Sequence, residues 1–311
     1  MKLVSILLEQ KEKPKALVMA GGGGAGKSYI LDKLKIGSTK VFNPDIYVED
    51  PEHEYYQNLS AASWKVKRDV QDAIDKKQSF VWDTTGTNID SIKNLVDEGY
   101  DVTVVMVYTH PIISFLSNFE RERSMDKSAV FTTWDKVYDL IDDYRKLLKD
   151  NFFLINNLRG GEYDKKIQDF NDAARKGGEG LLDYINLLVD EEPEKYRSSF
   201  SKPFDITDPD ALEAFNDEIK NLKFDKSDSN MIKNLKKHFM KSWEKKNTGP
   251  GEKSMLTKVA AIERDRQRAE STYREVLESI AKKLSNNNFS ETLEPDKLST
   301  VVDKVNKFFK R

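Results

Sequence analysis

Cysteine is absent from the 311-residue sequence. This absence excludes a disulfide framework and a zinc site built from thiolates, and it is typical of proteins of the reducing cytoplasm. Long hydrophobic runs are also missing, since none approaches the roughly 20 apolar residues that a membrane-spanning helix needs. The apolar run at residues 3–8 is too short for the core of a signal peptide, and we expect it to form a short helix on the protein core. These features predict a cytoplasmic protein without a membrane segment.

The sequence also lacks an excess of charge of either sign. It has 53 acidic and 51 basic residues, a formal net charge of −2, so the overall charge indicates no class of partner. Charged residues make up 33% of the chain and hydrophobic residues 38%, which is typical of a protein with a highly charged surface. A chain of this length can hold one large domain or a core domain with an appendage, and we expect the second arrangement.

A glycine-rich segment at residues 20–28 is the strongest motif. It fits the pattern G-x-x-x-x-G-K-[ST], with Gly21, Gly26, Lys27 and Ser28 in the fixed positions. An apolar run at 16–20 precedes it, and a helical pattern follows it. The alternative is a flexible loop with a chance Lys-Ser pair, but a strand, a glycine loop and a helix in this order favour a nucleotide-binding P-loop.

The chemistry of the P-loop follows from its spacing. Glycines let the backbone N–H groups turn towards a phosphate chain, and the positive end of the following helix adds to the attraction. We predict that Lys27 reaches the β- and γ-phosphates of ATP and that the Ser28 hydroxyl holds Mg²⁺. The predicted nucleotide-binding residues are Gly21, Gly22, Gly23, Gly24, Ala25, Gly26, Lys27 and Ser28.

Two aspartates lie at the carboxyl ends of predicted strands, the edge where open α/β sheets bind their ligands. Asp45 follows the strand at 40–43 and could accept a proton from an attacking hydroxyl, or it could cap a helix or turn. Asp83 ends the strand at 79–83 and has the form of a Walker B aspartate that supports Mg²⁺, or it could cap a turn.

Other polar side chains are candidates for contacts with substrate and phosphate. Three hydroxyls follow the Asp83 strand at the same rim, and we predict a substrate site there, formed by Thr84, Thr85 and Thr87. Arg121 and Arg123 end a predicted helix at 111–123 and would neutralise a transferring phosphoryl group if the segment covers the phosphates as a lid. The alternative is surface ion pairing with the neighbouring glutamates.

Strands are predicted at 16–20, 40–43, 79–83, 102–108 and 152–156. They alternate with helices, among them one predicted at 134–149, which predicts an α/β fold with a parallel sheet and helices on both faces. Helical patterns dominate the rest of the chain, with one helix predicted at 210–222, and the glycines at 177–180 are expected to separate two segments. We therefore predict a P-loop domain at 1–158 and a helical region at 159–311, with a sub-boundary near 249–251.

A local excess of positive charge is found at residues 231–268, with eleven Lys or Arg against four Asp or Glu. This stretch could bind the phosphate backbone of a nucleic acid. It could equally be the solvated face of two helices.

Residues 15–157 resemble the P-loop kinases of the zeta toxin and polynucleotide kinase group. Four features agree in order: the P-loop, Val-Phe-Asn-Pro-Asp at 41–45, Val-Trp-Asp-Thr-Thr-Gly-Thr at 81–87, and the strand, helix and Glu-Arg between 104 and 123. The resemblance implies transfer of the ATP γ-phosphate to a hydroxyl with Mg²⁺, with Asp45 as catalytic base and lid arginines on the phosphates. The group usually has a further arginine where this chain has Ser-Ala-Val at 128–130, so Arg123 or Lys127 would replace it.

We therefore predict a P-loop kinase that acts on a hydroxyl of a nucleic acid, a modified nucleobase or a nucleotide-sugar. One alternative is a P-loop ATPase whose helical half binds DNA or a protein. That alternative predicts a glutamate next to Asp83, where Thr84 stands. A further alternative is a toxin of the zeta type with an antidote protein as its partner.

Overall fold

The computed structural model of the chain describes residues 13–50, 52–53, 59–121, 124–157, 161–193, 195–196, 252–285, 293 and 295–310. Five parallel strands form one sheet with the order β2-β3-β1-β4-β5. The strands are β1 (Lys15–Ala20), β2 (Lys40–Phe42), β3 (Phe80–Asp83), β4 (Asp101–Tyr108) and β5 (Phe152–Asn156). All five strands lie within two residues of their predicted positions.

The sheet is apolar because both of its faces are covered by helices. Every residue of β1 after Lys15, and every residue of β4 after Asp101, is buried. Near-continuous apolar strands are typical of parallel sheets in α/β folds. The chain adds β2 and β3 on one side of β1 and then β4 and β5 on the other, so the strand order reverses beside β1, where such sheets bind ligands.

Eleven α-helices are found in the described residues. They are α1 (Lys27–Lys33), α2 (Asp45–Val48), α3 (Leu59–Asp75), α4 (Ile89–Asp97), α5 (Pro111–Phe119), α6 (Lys127–Asp139), α7 (Ile141–Leu148), α8 (Asp164–Ala174), α9 (Gly177–Glu191), α10 (Glu252–Ser285) and α11 (Leu298–Lys310). A 3₁₀ turn, Lys149–Asn151, precedes β5. The predicted α/β fold with a following helical region is confirmed.

Several predicted helix bounds were wrong. The helix predicted at 111–123 ends at Phe119, and the one predicted at 134–149 is two helices that meet at Leu140. Helix α6 begins seven residues earlier than predicted because the Asp126 side chain accepts a hydrogen bond from the Ser128 N–H. The glycines at 177–180, expected to separate two segments, are the first turn of α9 instead.

The chain divides into two compact units, residues 1–198 with 276–311 and residues 199–275. In the first unit, Val301 and Val305 of α11 are fully buried in the same apolar cluster as Leu17 of β1 and Ile30 of α1. The Asp296 side chain also accepts a hydrogen bond from the Leu154 N–H of β5 at 2.9 Å. The end of the chain therefore packs on the sheet, while a domain boundary at 158 stays a prediction about which part folds alone.

Some predictions fall outside the described residues. These are the short helix at 3–8, the helix at 210–222 and the sub-boundary near 249–251. In the second unit, the described residues are the first part of α10, from 252 to 275. Among the helices of the described ranges, none combines the length and the apolar character that crossing a membrane requires.

Candidate functional site

The glycine loop lies between β1 and α1, as the motif predicts. Gly21, Gly24 and Gly26 have φ angles of 143°, 74° and 88°, in the region that side chains disfavour. A Cβ atom at Gly24 would collide with the Ser114 carbonyl of α5, and one at Gly26 would collide with the Asn157 side chain. The glycines are therefore required both by the conformation of the loop and by the close approach of its neighbours.

Two polar side chains support this loop from outside. The Asn157 amide donates to the Ala25 carbonyl at 2.8 Å, and the Ser114 hydroxyl donates to the Gly23 carbonyl. In the described residues, no side chain caps the N-terminus of α1, and its first turn has no acidic residue. The N–H groups of that turn are therefore available to an anion, as the binding of a phosphate chain requires.

Lys27 is the first residue of α1 and is half-buried. Its Nζ atom donates to the Gly21 carbonyl at 2.9 Å and to the Gly22 carbonyl at 3.4 Å, so the ammonium group lies over the loop. Ser28, the predicted Mg²⁺ ligand, is exposed next to it.

Asp83 ends β3 and is 6% exposed. Burial raises the pKa of its carboxyl group, the positive charges of Lys27 and Arg121 lower it, and the negative charge of Asp45 raises it further. All three of these charges act on Asp83, so the structure brings the predicted nucleotide, metal and proton-transfer residues together at one edge of the sheet.

Asp45 is the first residue of the one-turn helix α2 rather than part of a loop after β2. Its Oδ2 atom lies 3.0 Å from an Arg121 guanidinium nitrogen, and the two side chains are 27% and 38% exposed. Arg121 also lies 4.0 Å from Glu49. Arg121 is therefore ion-paired with Asp45, the predicted general base.

The predicted substrate threonines follow β3 at the same edge. The Thr85 and Thr87 hydroxyls are 3.1 Å apart, and the Thr85 carbonyl accepts from the Gly21 N–H at 3.0 Å. The Thr84 N–H donates to the Met19 carbonyl of β1 at 3.0 Å. The backbone of this turn is thus hydrogen-bonded to the start of the P-loop, and the threonines line the turn that borders it.

Other predicted residues lie elsewhere. Arg123 falls outside the described residues. Lys127, the other suggested replacement for the missing lid arginine, donates from its Nζ atom to Asn186 of α9 at 3.0 Å. Of the basic stretch 231–268, residues 231–251 are not described, and residues 252–268 belong to α10.

The donor set at the sheet edge fits both ATP and Mg²⁺. The P-loop offers backbone N–H groups and Lys27 for the phosphates. No group of three or more His, Cys, Asp or Glu side chains that could hold a metal ion was found in the described part of the chain. Mg²⁺ needs no such group, because it usually keeps several waters and binds one or two carboxylates together with substrate phosphates. Asp83 and Ser28 can supply the protein oxygens for such a site.

Three site residues had no predicted role: Asn43, Ser114 and Asn157. Ser114 and Asn157 lie far from the P-loop in sequence, so no local pattern indicates their contacts with it. Asn43 has a local signal, because an Asn two residues before the first N–H of a helix is typical of a turn closed by its side chain. The Asn43 oxygen accepts from the Asp45 N–H at 2.8 Å, and its amide nitrogen donates to Asp83 Oδ2 at 3.0 Å.

Comparisons with known proteins give one family match and several weak structural similarities. Residues 4–130 match the model of the zeta toxin family. No curated protein is significantly similar to the chain in sequence. Among solved structures, the AvrRxo1-ORF1:-ORF2 complex with ATP is 17% identical with a TM-score of 0.40, and the similarity covers 48% of this chain and 56% of that chain.

Two further solved structures have similar scores. The structure from the PezAT toxin-antitoxin system of Streptococcus pneumoniae is 20% identical with a TM-score of 0.36, covering 47% of this chain and 68% of that one. A gluconokinase from Sinorhizobium meliloti 1021 is 13% identical with a TM-score of 0.33, covering 58% and 98%. At these scores the similarities carry no information about substrate or partner.

The family match covers the P-loop, Asp45, Asp83 and Arg121, and it ends within α6. Over residues 4–130 the chain is therefore similar to the zeta toxin family, in agreement with the resemblance found in the sequence.

Proposed function

We propose that the chain is an ATP-dependent phosphotransferase that transfers the γ-phosphate to a hydroxyl group. The observation that carries this proposal is the meeting of Lys27, Asp83, Asp45 and Arg121 at the sheet edge beside the glycine loop. An ATP-binding site needs the loop and the lysine. A carboxylate with a partly exposed face, next to a second, buried carboxylate, is what transfer to a hydroxyl requires in addition.

In this proposal the P-loop holds the triphosphate. The N–H groups at the start of α1 and the Lys27 ammonium group bind phosphate oxygens, and Lys27 leaves its present carbonyl partners to do so. Ser28 and Asp83 would hold Mg²⁺, which, when bound, neutralises charge on the phosphates and keeps them aligned.

Asp45 is the proposed general base. The acceptor oxygen forms a bond to the γ-phosphorus, the bond from that phosphorus to the bridging β–γ oxygen breaks, and its electron pair leaves with ADP. The proton of the acceptor hydroxyl goes to the Asp45 carboxylate. Arg121 exchanges Asp45 for the transferring phosphoryl group, whose negative charge its guanidinium stabilises.

The acceptor in this proposal is a hydroxyl of a nucleic acid, a modified nucleobase or a nucleotide-sugar. Incubation of the full chain with γ-labelled ATP, Mg²⁺ and a panel of DNA, RNA, nucleosides and nucleotide-sugars would show where the label goes. Label on a panel member in the wild type and its loss in Asp45→Asn would support the proposal. Release of label only as inorganic phosphate, at the same rate in both proteins, would identify an ATPase instead.

The family match supports a toxin-type role with a protein antidote as a further part of the proposal. Controlled expression in a bacterial host tests it. We expect wild-type protein to arrest growth and Asp45→Asn protein, at equal abundance, to leave growth unchanged. Equal growth with both proteins would contradict this part.

A further inference from the structure

Asn43 and Asp83 lie side by side at the carboxyl ends of neighbouring strands. The last paired residues of β2 and β3 are Phe42 and Trp82, so Asn43 and Asp83 are the next pair in the parallel register. Paired residues of neighbouring strands point to the same face of a sheet. The register therefore places the Asn43 amide against the Asp83 carboxylate.

The Asn43 side chain binds two groups at once. Its Nδ2 atom donates to Asp83 Oδ2 at 3.0 Å, and its Oδ1 atom accepts from the Asp45 N–H at 2.8 Å. The first bond reaches the buried carboxylate of β3, and the second reaches the backbone of the residue that carries the other carboxylate. One planar amide thus connects the positions of Asp83 and Asp45.

Capping of α2 explains only one of these two hydrogen bonds, the one from the Asp45 N–H. Helix α2 has four residues and receives no side-chain cap from Pro44, so the Asn43 oxygen satisfies its first N–H group. A serine or aspartate at position 43 also accepts hydrogen bonds in such turns. Of these residues, only an amide has a donor and an acceptor at separate ends of a rigid plane.

Donation to Asp83 matters because that side chain is 6% exposed. A buried carboxylate is costly unless hydrogen bonds compensate for its lost hydration. The Asn43 amide supplies such a bond without adding charge, and by holding Oδ2 it fixes the plane in which Oδ1 lies.

We propose that Asn43 is a positioning residue that orients the Asp83 carboxylate for a divalent cation and sets its spacing from Asp45. This inference rests on the proposed function, because it takes Asp83 as the Mg²⁺ residue and Asp45 as the base. Residues that orient metal-binding side chains typically change metal affinity or activity by about 10- to 100-fold when they are replaced. Asn43 is expected to act at the lower end of that range, since it holds one oxygen of one proposed ligand.

Isothermal titration calorimetry of the full chain with ATP, in excess Mg²⁺ and separately in EDTA, measures this role without relying on turnover. In the wild type we expect Mg²⁺ to tighten ATP binding. Asn43→Ser keeps an oxygen acceptor near the Asp45 N–H but loses the reach to Asp83, and Asn43→Ala loses both bonds. In EDTA, the ATP affinity of both variants should be within about twofold of the wild-type affinity. The factor by which Mg²⁺ increases the ATP affinity, the Mg²⁺-dependent gain, should be about tenfold smaller than in the wild type.

Asn88→Ser is the matched control. Asn88 caps α4 by accepting from the Asp90 and Ser91 N–H groups, at 3.1 and 3.4 Å, so it performs the capping half of the Asn43 role. We expect this variant to retain the full Mg²⁺-dependent gain. A second measurement combines Asn43→Ser with Asp83→Asn, and the double variant should bind ATP with Mg²⁺ as Asp83→Asn alone does.

Three results would overturn the inference. The Asn43→Ser protein could keep the full Mg²⁺-dependent gain, as the control does, or ATP binding by the wild type could be independent of Mg²⁺. The third such result is a double variant in which the losses from Asn43→Ser and Asp83→Asn add up. The labelling panel decides the proposed function independently. A chain that transfers no phosphate but shows the expected calorimetric pattern would refute the phosphotransferase and keep the Asn43 role.

Discussion

Replacing Asp45 by Asn should stop phosphoryl transfer while leaving the fold and ATP binding nearly intact. The asparagine side chain has the size of aspartate and still accepts a hydrogen bond, but it takes up no proton at neutral pH. The substitution therefore separates the proposed base from a residue that only caps α2 or pairs with Arg121.

The ion pair of Asp45 indicates the size of the stability effect. The ion pair to Arg121 is partly solvated, with side chains 27% and 38% exposed, and pairs of this kind contribute about 0.2–1 kcal/mol. The first-turn charge adds about 0.3 kcal/mol at the dipole of a one-turn helix. A loss of about 1 kcal/mol lowers the Tm of a unit of this size by about 2–4 °C.

The expected kinetic effect is much larger. A general base contributes about 100- to 10,000-fold in rate, which corresponds to about 3–5 kcal/mol of transition-state free energy. The rate effect therefore exceeds the stability effect several-fold, and the two readouts cannot be confused. ATP affinity should stay within about twofold, because in the proposed role Asp45 binds the acceptor proton and not the triphosphate.

The assay compares label transfer to the acceptor found in the panel, ATP affinity by calorimetry and the Tm of each protein. Asp90→Asn is the matched control, because Asp90 is also a first-turn aspartate in an ion pair, with Lys93 at 2.9 Å. The control should transfer phosphate at the wild-type rate. If Asp45→Asn also does so, or if it loses ATP binding, Asp45 is not the base and its role is structural.

Four further substitutions and one truncation test other parts of the molecule. Lys27→Ala should weaken ATP binding or slow turnover by about a hundredfold or more, since it removes the ammonium group over the loop, and parental turnover would remove Lys27 from the site. Val301→Ala and Val305→Ala should each lower the free energy of unfolding by about 2 kcal/mol in urea titrations, because both side chains are fully buried against the sheet. A chain that ends at residue 158 lacks α11 and leaves its apolar contact surface on the sheet uncovered, so it should lose solubility. A soluble fragment that binds ATP would instead support a domain boundary at 158. Burial lowers the pKa of His110 from 6.5 to about 4, so on acidification the unfolded chain takes up a proton at this histidine before the folded chain does. The contribution of His110 to stability is therefore full above pH 6.5 and falls by up to about 3 kcal/mol as the pH approaches 4. In denaturation experiments across this range, His110→Asn should reduce the loss of stability with falling pH.

Local sequence patterns were sufficient for the fold of the sheet. Each strand is largely a run of apolar residues, and four of the five end at, or directly before, a Gly, Asp or Asn. A strand covered on both faces must be apolar almost throughout. The helix bounds were harder to predict because they depend on single side-chain caps. The cap from Asp126 begins α6 earlier than its apolar periodicity indicates, and the break at Leu140 has no proline or glycine to mark it.

Some features of the candidate site could likewise be predicted from the sequence, and others could not. The P-loop can be identified from sequence because its function constrains consecutive residues: glycines where the backbone turns, then Lys27 and Ser28 at the start of a helix. Asp45 and Asp83 were identifiable as strand-end carboxylates, but as single residues they left capping roles open. Their placement beside each other needs the order of β2 and β3 in the sheet, which the sequence does not state.

The sequence by itself determined which residues form the P-loop motif and which segments form the sheet, because both follow from patterns among neighbours in the chain. Only the tertiary structure decided that Arg121 lies on Asp45, that Asn43 joins Asp83 to Asp45, and that α11 completes the apolar cluster of β1. Arg121 and Asp45 are 76 positions apart, Asn43 and Asp83 are 40 apart, and α11 follows β1 by more than 270 residues. Contacts at such separations are set by strand order and register, and these depend on how the whole chain buries its apolar surface.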